Sequence, residues 1–165
     1  MELAAEGASI ALVDRPGSEE LAAAVATVRA LGVDCLAIEA DTFSREGCEL
    51  VVETTCSHFG TVDILVGVPA YNRRASFLEY DGDTFDGILK SALLGSFHIS
   101  QLVARHLVER KKPGRIIFIS SVLARVPNAR CIAYSAAKAG LNSMMQTMAV
   151  ELFEHHINVN AIEPG

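Results

Sequence analysis

Five short apolar runs alternate with segments of helical periodicity along nearly the whole chain. A short run that is apolar on both faces predicts a strand buried on both sides, and helices between such strands predict parallel crossovers. Right-handed crossovers then give a doubly wound sheet between two layers of helices. The chain is therefore predicted to be α/β, with a doubly wound parallel sheet. The runs are residues 8–13, 33–40, 62–68, 116–119 and 157–162.

The segments between these runs carry helix signals. Apolar residues recur at helical spacing in each of them, and glycines follow several of their ends. With 165 residues, half of them hydrophobic, the chain is long enough for one domain with a sizeable core. Helices are predicted at residues 2–6, 18–31, 44–59, 84–110 and 134–155, with Ser18 as the N-cap of the second.

Charge and composition exclude several classes of partner. The net charge of −6 argues against nucleic acid and anionic membranes, which bind clustered Lys and Arg. No apolar run approaches the roughly 18 residues of a membrane helix, and the N-terminus lacks a signal-peptide pattern. A cytoplasmic location is the resulting expectation. The four cysteines have no C-x-x-C spacing and the five histidines form no ligand set, so no metal site is predicted.

Tyr134 and Lys138 are four residues apart in a predicted helix, so that their side chains share one face. A phenol exchanges protons poorly at neutral pH, and a neighbouring ammonium favours the phenolate. Ser121 follows the apolar run at 116–119, where a strand would bring its hydroxyl to the carboxyl edge of the sheet. These residues predict a hydroxyl and a phenol that contact one substrate oxygen. A surface lysine beside a half-buried tyrosine is the alternative for the pair alone.

Ligands of doubly wound sheets bind at the carboxyl ends of the strands. Asp14, Asp41 and Ser121 each follow an apolar run, and Pro164 and Gly165 follow the last one. We therefore expect one pocket to collect these residues. For the two aspartates, an ordinary turn-starting role is the alternative.

The order of these motifs resembles the short-chain dehydrogenase/reductase family. Members of that family carry a Ser, a Tyr and a Lys in this order, and a Pro-Gly after the next strand. Here the matching segments are GRIIFISS at 114–121, AYSAAKAGL at 133–141 and VNAIEPG at 159–165. The resemblance covers nearly the whole chain. It implies a single Rossmann-like, NAD(P)-binding domain over residues 1–165.

The resemblance also implies roles for individual residues at the reacting centre. Tyr134 would be the general acid/base. Lys138 would favour the phenolate and hold the nicotinamide ribose. Ser121 would position the oxygen of an alcohol or ketone substrate while hydride passes between the substrate and the cofactor.

Four further residues would contact the cofactor. Asp14 matches the acidic residue that binds the adenosine ribose and repels a 2′-phosphate, so NAD is expected in preference to NADP. Arg15 beside it would moderate that preference. Asp41 matches the residue that contacts the adenine. Pro164 and Gly165 complete the predicted cofactor site.

Several family features are missing from the sequence. The glycine-rich pyrophosphate loop and first strand would precede Met1, and a substrate-binding segment and final strand would follow Gly165. The family's Asn-Asn-Ala-Gly is replaced by GVPA at 67–70, and a helix Asn of the proton relay by Ala92. We therefore expect a fragment or truncated product. Without the central first strand, the second and fourth strands must pair directly or leave unpaired edges.

Two hypotheses follow. The first is an NAD(P)-dependent oxidoreductase acting on a small-molecule alcohol or ketone. The second is a catalytically inactive relic that retains an association surface. In the family, the two long helices pair with their copies in a second subunit, so a homodimer or homotetramer is expected in either case. The loop at 122–130 is expected to contribute to the choice of substrate, whose class the sequence leaves open.

Overall fold

A computed structural model describes residues 1–68 and 71–165. The chain divides into two compact units, Met1–Val62 and Asp63–Gly165. Each unit combines parallel strands with helices, as the sequence predicts for an α/β protein. Pro69 and Ala70, which belong to the GVPA segment at 67–70 noted above, lie outside the described residues.

The first unit contains a two-stranded parallel sheet and three helices. The strands pair in register from Ile10 opposite Cys35 to Asp14 opposite Glu39. Apolar faces of the first two helices cover the strands, and the core contains Ala4, Leu21, Val25, Val28 and Cys35. The elements are α1 (Glu2–Ala5), β1 (Ile10–Asp14), α2 (Glu19–Arg29), β2 (Cys35–Glu39) and α3 (Arg45–Phe59).

Two serines begin helices in this unit, and they use their hydroxyls differently. Ser44 is the N-cap of α3, and its Oγ accepts a hydrogen bond from the Gly47 amide at 3.0 Å. Ser18 occupies the N-cap position of α2, as predicted, but its hydroxyl accepts no capping hydrogen bond from the backbone amides of that helix. Its hydroxyl donates to the Asp14 carboxylate instead.

The second unit contains a three-stranded parallel sheet in the order β3-β4-β5. Its middle strand is β4, in which Ile116 and Phe118 are fully buried. Short 3₁₀ turns cover Phe77–Glu79, Val122–Ala124 and Phe153–His155. The strands and helices are β3 (Ile64–Gly67), α4 (Gly82–Leu89), α5 (Gly95–Glu109), β4 (Gly114–Ile119), α6 (Ile132–Glu151) and β5 (Ile157–Ile162).

The helix predicted at 84–110 is present, with an irregular centre. A π-helical turn over Lys90–Leu94 joins α4 to α5. Such insertions change the face that a helix presents to its neighbours. Buried serines around this turn are satisfied within the helix, because Ser91 Oγ donates to the Ile88 carbonyl and Ser96 Oγ to the Ala92 carbonyl.

β1 pairs only with β2, and β3 pairs only with β4, in the part of the chain that the structure describes. Within their own units, β1 and β3 are each paired along one edge, and Ile64 and Val66 of β3 are partly exposed. The described residues thus form a two-stranded parallel sheet in the first unit and a three-stranded parallel sheet in the second.

Neither a membrane-spanning helix nor a cluster of metal-binding side chains occurs among the described residues. Among residues 1–68 and 71–165, no helix is both long and apolar enough to cross a bilayer. The same residues contain no group of three or more His, Cys, Asp or Glu side chains that would hold a metal ion.

Candidate active site

Ser121 stands directly after the middle strand of the second unit. The Ser120 amide donates to the Ile162 carbonyl at 2.8 Å and continues the β4–β5 ladder past the last residue of β4. Ser121 has extended backbone and begins the Val122–Ala124 turn, where its Oγ accepts from the Leu123 amide at 3.2 Å. Within the described residues, no acceptor takes the Ser121 hydroxyl proton. That proton is therefore available to a substrate oxygen.

Tyr134 lies in the first turn of α6, half-buried against an apolar cluster. The cluster comprises Ile88 of α4, Ala92 of the π-helical turn that follows it, and Ala133 and Ala137 of α6. Among the described residues, the Tyr134 hydroxyl has no hydrogen-bonding partner. The ring is thus fixed by packing while its oxygen remains free to exchange a proton.

Lys138 is 3 % exposed, although it carries an ammonium group. Its Nζ lies 5.5 Å from the centroid of the Tyr134 ring and donates to the Ile119 carbonyl at 2.6 Å. Burial lowers the pKa of Lys138 below its ordinary value of 10.5, because an ammonium ion loses hydration when it is buried. One of its three protons is engaged by Ile119, so others remain for a ligand.

The Pro164–Gly165 turn lies against the turn that follows Ser121. The Val122 amide donates to the Pro164 carbonyl at 3.1 Å. A Cβ placed on Gly165 would lie 3.3 Å from Val122 Cγ1, which is a tight contact. The second unit therefore places Ser121, Tyr134, Lys138, Pro164 and Gly165 on neighbouring elements.

Asp14 ends β1 in the first unit, and both its carboxylate oxygens accept hydrogen bonds. Oδ2 accepts from Ser18 Oγ at 2.5 Å and Oδ1 from the Arg15 amide at 2.8 Å. The Ser18 bond, followed by the Arg15 amide, lowers the pKa of Asp14 below its ordinary value of 3.8. Asp14 is therefore a carboxylate at neutral pH.

Asp41 follows β2 in a tight turn. Its Oδ1 accepts from the Phe43 amide at 3.0 Å, and its carbonyl accepts from Ser44 Oγ at 2.9 Å. A Cβ on Gly47 would lie only 2.0 Å from the Asp41 carbonyl oxygen, so the start of α3 packs closely on this turn. The turn role considered from the sequence is present, and the adenine contact stays a prediction.

Three hydrogen-bonding interactions of carboxylate groups were not predicted from the sequence. Glu39, opposite Asp14 in the sheet, accepts from the Gly17 amide at 3.1 Å. Glu163 accepts from Arg125 and from Asn142. Only the position of Glu163 before Pro-Gly, at the end of an apolar strand, offered a signal in the sequence.

Ala92 stands where the resemblance places a relay asparagine. It is fully buried in the cluster that supports Tyr134, and its carbonyl accepts from Ser96 Oγ at 2.8 Å. A methyl group there provides packing and no side-chain hydrogen bond. Any proton path from Lys138 must therefore use other groups.

These features define an α/β protein with a Ser-Tyr-Lys constellation beside the middle strand of a parallel sheet. A family model described as short chain dehydrogenase matches residues 1–165. The chain therefore belongs to the short-chain dehydrogenase/reductase family of oxidoreductases.

Individual relatives support this assignment. The chain is 36 % identical over 163 residues to the short-chain reductase protein NovJ of Streptomyces niveus, covering 99 % of this chain and 61 % of that protein. It is 34 % identical over 138 residues to 2-dehydro-3-deoxy-D-gluconate 5-dehydrogenase of Escherichia coli (strain K12), covering 84 % of this chain and 54 % of that one. The chain thus spans between half and two thirds of the length of these relatives.

A solved structure shows the same architecture. NAD⁺-bound xylitol dehydrogenase matches with a TM-score of 0.94 and 32 % sequence identity, covering 99 % of this chain and 62 % of that one. The doubly wound, Rossmann-like fold class predicted from the sequence is therefore confirmed for this chain.

Proposed function

We propose that this protein is an NAD-dependent oxidoreductase that transfers hydride between the nicotinamide and the carbon of an alcohol or carbonyl substrate. The observation that carries this proposal is the buried Lys138 ammonium, 5.5 Å from the Tyr134 ring, beside the strand that delivers Ser121. Burying an ammonium ion without a negatively charged partner is costly. Here the charge lies beside Tyr134, the side chain proposed to exchange a proton with the substrate.

Each of these three side chains has a distinct task. In alcohol oxidation, the Tyr134 oxygen takes the hydroxyl proton as the C–O bond becomes C=O; in carbonyl reduction, it returns that proton. Ser121 donates a hydrogen bond to the same substrate oxygen. Lys138 places its positive charge beside the Tyr134 ring, where it would stabilise negative charge that develops on the Tyr134 oxygen during the reaction. Bound NAD would supply the hydride acceptor, and NADH the hydride donor.

The described residues include those that we propose to hold the dinucleotide. We assign Asp14 to the adenosine ribose, Asp41 to the adenine, and Lys138 with Tyr134 to the nicotinamide ribose. Pro164 and Gly165 complete the site, where a side chain at position 165 would crowd Val122. The solved relative that binds NAD⁺ supports the same cofactor here.

Asp14→Asn is expected to reduce the preference for NAD over NADP about tenfold, corresponding to roughly 1.4 kcal/mol. The ionised Asp14 accepts hydrogen bonds from a ribose and repels a 2′-phosphate, whereas a neutral amide does not repel it. Calorimetric titrations of the wild type and the variant with both cofactors measure the ratio. Asp34→Asn, at an exposed carboxylate of the same unit, is the matched control. An unchanged ratio in Asp14→Asn would contradict the assignment.

The substrate is proposed to be a small-molecule alcohol or ketone. The loop at 122–130 lines a cleft of about 550 Å³ together with Ser135 and Ala139 of α6. Ligand sites for small molecules commonly have volumes in this range. The loop is therefore proposed to contribute to the choice of substrate.

Residues 1–165 are proposed to work as a single NAD(P)-binding domain in a cytoplasmic homodimer or homotetramer. A groove of about 790 Å³ runs along the outer faces of the long helices and is mostly apolar. Association of two copies through these helices would cover it. Neither nucleic acid nor a membrane is a proposed partner. The groove is lined by residues that include Gly87, Leu93, Leu94, Phe97, Gly140 and Met144.

Ala92, which stands where the resemblance places a relay asparagine, favours a second candidate function, that of a catalytically inactive relic with an intact association surface. The two functions are separated by incubating the chain with NADH carrying deuterium at C4 and a panel of ketones and aldehydes. Deuterium in the product alcohol, found by mass spectrometry, supports the oxidoreductase. An assembled, cofactor-free protein that transfers no deuterium supports the relic.

A further inference from the structure

Glu163 connects three elements of the second unit through one carboxylate. Its Oε1 accepts from Asn142 Nδ2 at 2.8 Å, and its Oε2 accepts from Arg125 Nε at 2.9 Å and also from Nη2 of the same guanidinium. Arg125 ends the turn that begins after Ser121. Asn142 lies on α6, one helical turn beyond Lys138.

The backbone around Glu163 is already held without its side chain. The Ser120 amide donates to the Ile162 carbonyl at 2.8 Å, and the Val122 amide to the Pro164 carbonyl at 3.1 Å. These two bonds fix the end of β5 against the end of β4. The Glu163 carboxylate provides two further connections. It bonds to Asn142 of α6 and to Arg125 at the end of the Val122–Ala124 turn.

Stability alone does not account for this arrangement. The Arg125 side chain is 75 % exposed, and exposed ion pairs contribute little to the free energy of unfolding. The Glu163 side chain is only 20 % exposed, and the Asn142 amide donates to it from a half-buried position. A carboxylate that uses both oxygens on two elements constrains the distance between those elements more than it stabilises the fold.

We propose that Glu163 is a positioning residue that sets the Ser121 turn and α6 at the spacing at which Ser121 and Tyr134 contact one substrate oxygen. This inference rests on the proposed function. Glu163 acts through Arg125 and Asn142 and does not touch the reacting atoms. Misplacement of reacting groups by about 1 Å costs up to about a hundredfold in rate, so a small shift of the turn is sufficient.

The test compares wild type with Glu163→Gln and Glu163→Ala. Glutamine keeps the length but has one acceptor oxygen, so it cannot bind both Arg125 and Asn142 as before. We expect kcat to fall about tenfold in Glu163→Gln and up to about a hundredfold in Glu163→Ala. The KM for NADH and the midpoint of thermal unfolding should change little. Glu154→Gln, at an exposed carboxylate of the same unit, is the control and should keep the wild-type kcat.

Hydrogen exchange provides a second readout that needs no turnover. The Val122 and Leu123 amides bond to the Pro164 carbonyl and Ser121 Oγ, so they report the geometry of the turn. In Glu163→Gln they should exchange faster than in wild type, while amides in the centre of β4 remain unchanged.

The outcomes separate the two proposals. If the wild type transfers hydride, a lower kcat in both Glu163 variants with an unchanged unfolding midpoint supports the positioning role, and an unchanged kcat overturns it. If the wild type transfers none, the proposed function fails and the exchange rates decide. Faster exchange at Val122 and Leu123 then supports the role of Glu163 in holding the turn, and unchanged exchange overturns it.

Discussion

Replacing Tyr134 with Phe is expected to lower turnover by about 10²- to 10⁴-fold while weakening NADH binding only slightly, because Lys138 remains to hold the nicotinamide ribose. The substitution removes the oxygen that exchanges the proton and keeps the ring, which packs against Ala92, Ala133 and Ala137. Because the Tyr134 hydroxyl has no partner among the described residues, its loss leaves no buried polar group unsatisfied. The midpoint of thermal unfolding should therefore stay close to that of the wild type.

Steady-state kinetics and NADH fluorescence titrations of the active protein measure the two effects. Tyr80→Phe is the matched control, because Tyr80 packs against the same cluster and its hydroxyl donates to the Arg73 carbonyl at 2.9 Å. That variant loses a hydrogen bond and should keep wild-type turnover. Normal turnover in Tyr134→Phe would show that the acid/base assignment is wrong.

Replacing Lys138 with Met is expected to lower turnover by about 10²- to 10³-fold, the magnitude typical for removal of one electrostatic contributor to a reaction. Methionine retains most of the volume and the apolar stem, but it removes the charge near Tyr134 and the bond to the Ile119 carbonyl. NADH binding should weaken as well, because Lys138 is proposed to hold the nicotinamide ribose. Turnover and affinity that both equal those of the wild type would contradict this role.

The same variant has a second signature in the pH dependence of stability. Burial places the pKa of Lys138 in the folded protein below 10.5, so between these two values the unfolded chain binds more protons than the folded one. The Lys138 contribution to the free energy of unfolding therefore rises with pH in that window and is lost as pH falls through the folded pKa. Lys138→Met should lack this rise.

The difference between the wild type and the variant isolates this contribution from other alkaline titrations. Burial raises the pKa of Cys48 to about 11 and also raises that of Cys35, so these thiols make stability fall as pH increases. They are present in both proteins and cancel in the difference. Lys112→Met, at an exposed position, should give the wild-type pH profile. Denaturant unfolding at several alkaline pH values provides the comparison.

Local structure was predictable because it depends on short-range patterns. Each predicted strand and helix is present, with ends displaced by a few residues at most. Placing Ser121 and Lys138 on neighbouring elements required only the helical period and the rule that ligands gather at the carboxyl ends of strands. The pairing of distant strands was left open by the sequence, because it depends on contacts that local patterns do not encode.

Three features were not predicted from the sequence: the Ser18 hydrogen bond, the π-helical turn and the hydrogen bonds of Glu163. Each depends on contacts that form only in the folded chain. The Ser18 hydroxyl donates its proton to the Asp14 carboxylate, a charged acceptor that forms a stronger bond than a neutral one. The π-helical turn at Lys90–Leu94 changes the helix by one residue, which periodicity over a long segment does not resolve. Glu163 meets Arg125 and Asn142 only after three elements have packed together.

The central claim is that this chain binds NAD at the site defined above. Thermal unfolding of the 165-residue chain, titrated with NAD and separately with NADP, tests it most directly. A ligand that binds only the folded state, at a hundred times its dissociation constant, adds about 2.7 kcal/mol of apparent stability. We predict a raised unfolding midpoint with both cofactors and a larger increase with NAD. The absence of any increase with either cofactor would contradict the claim.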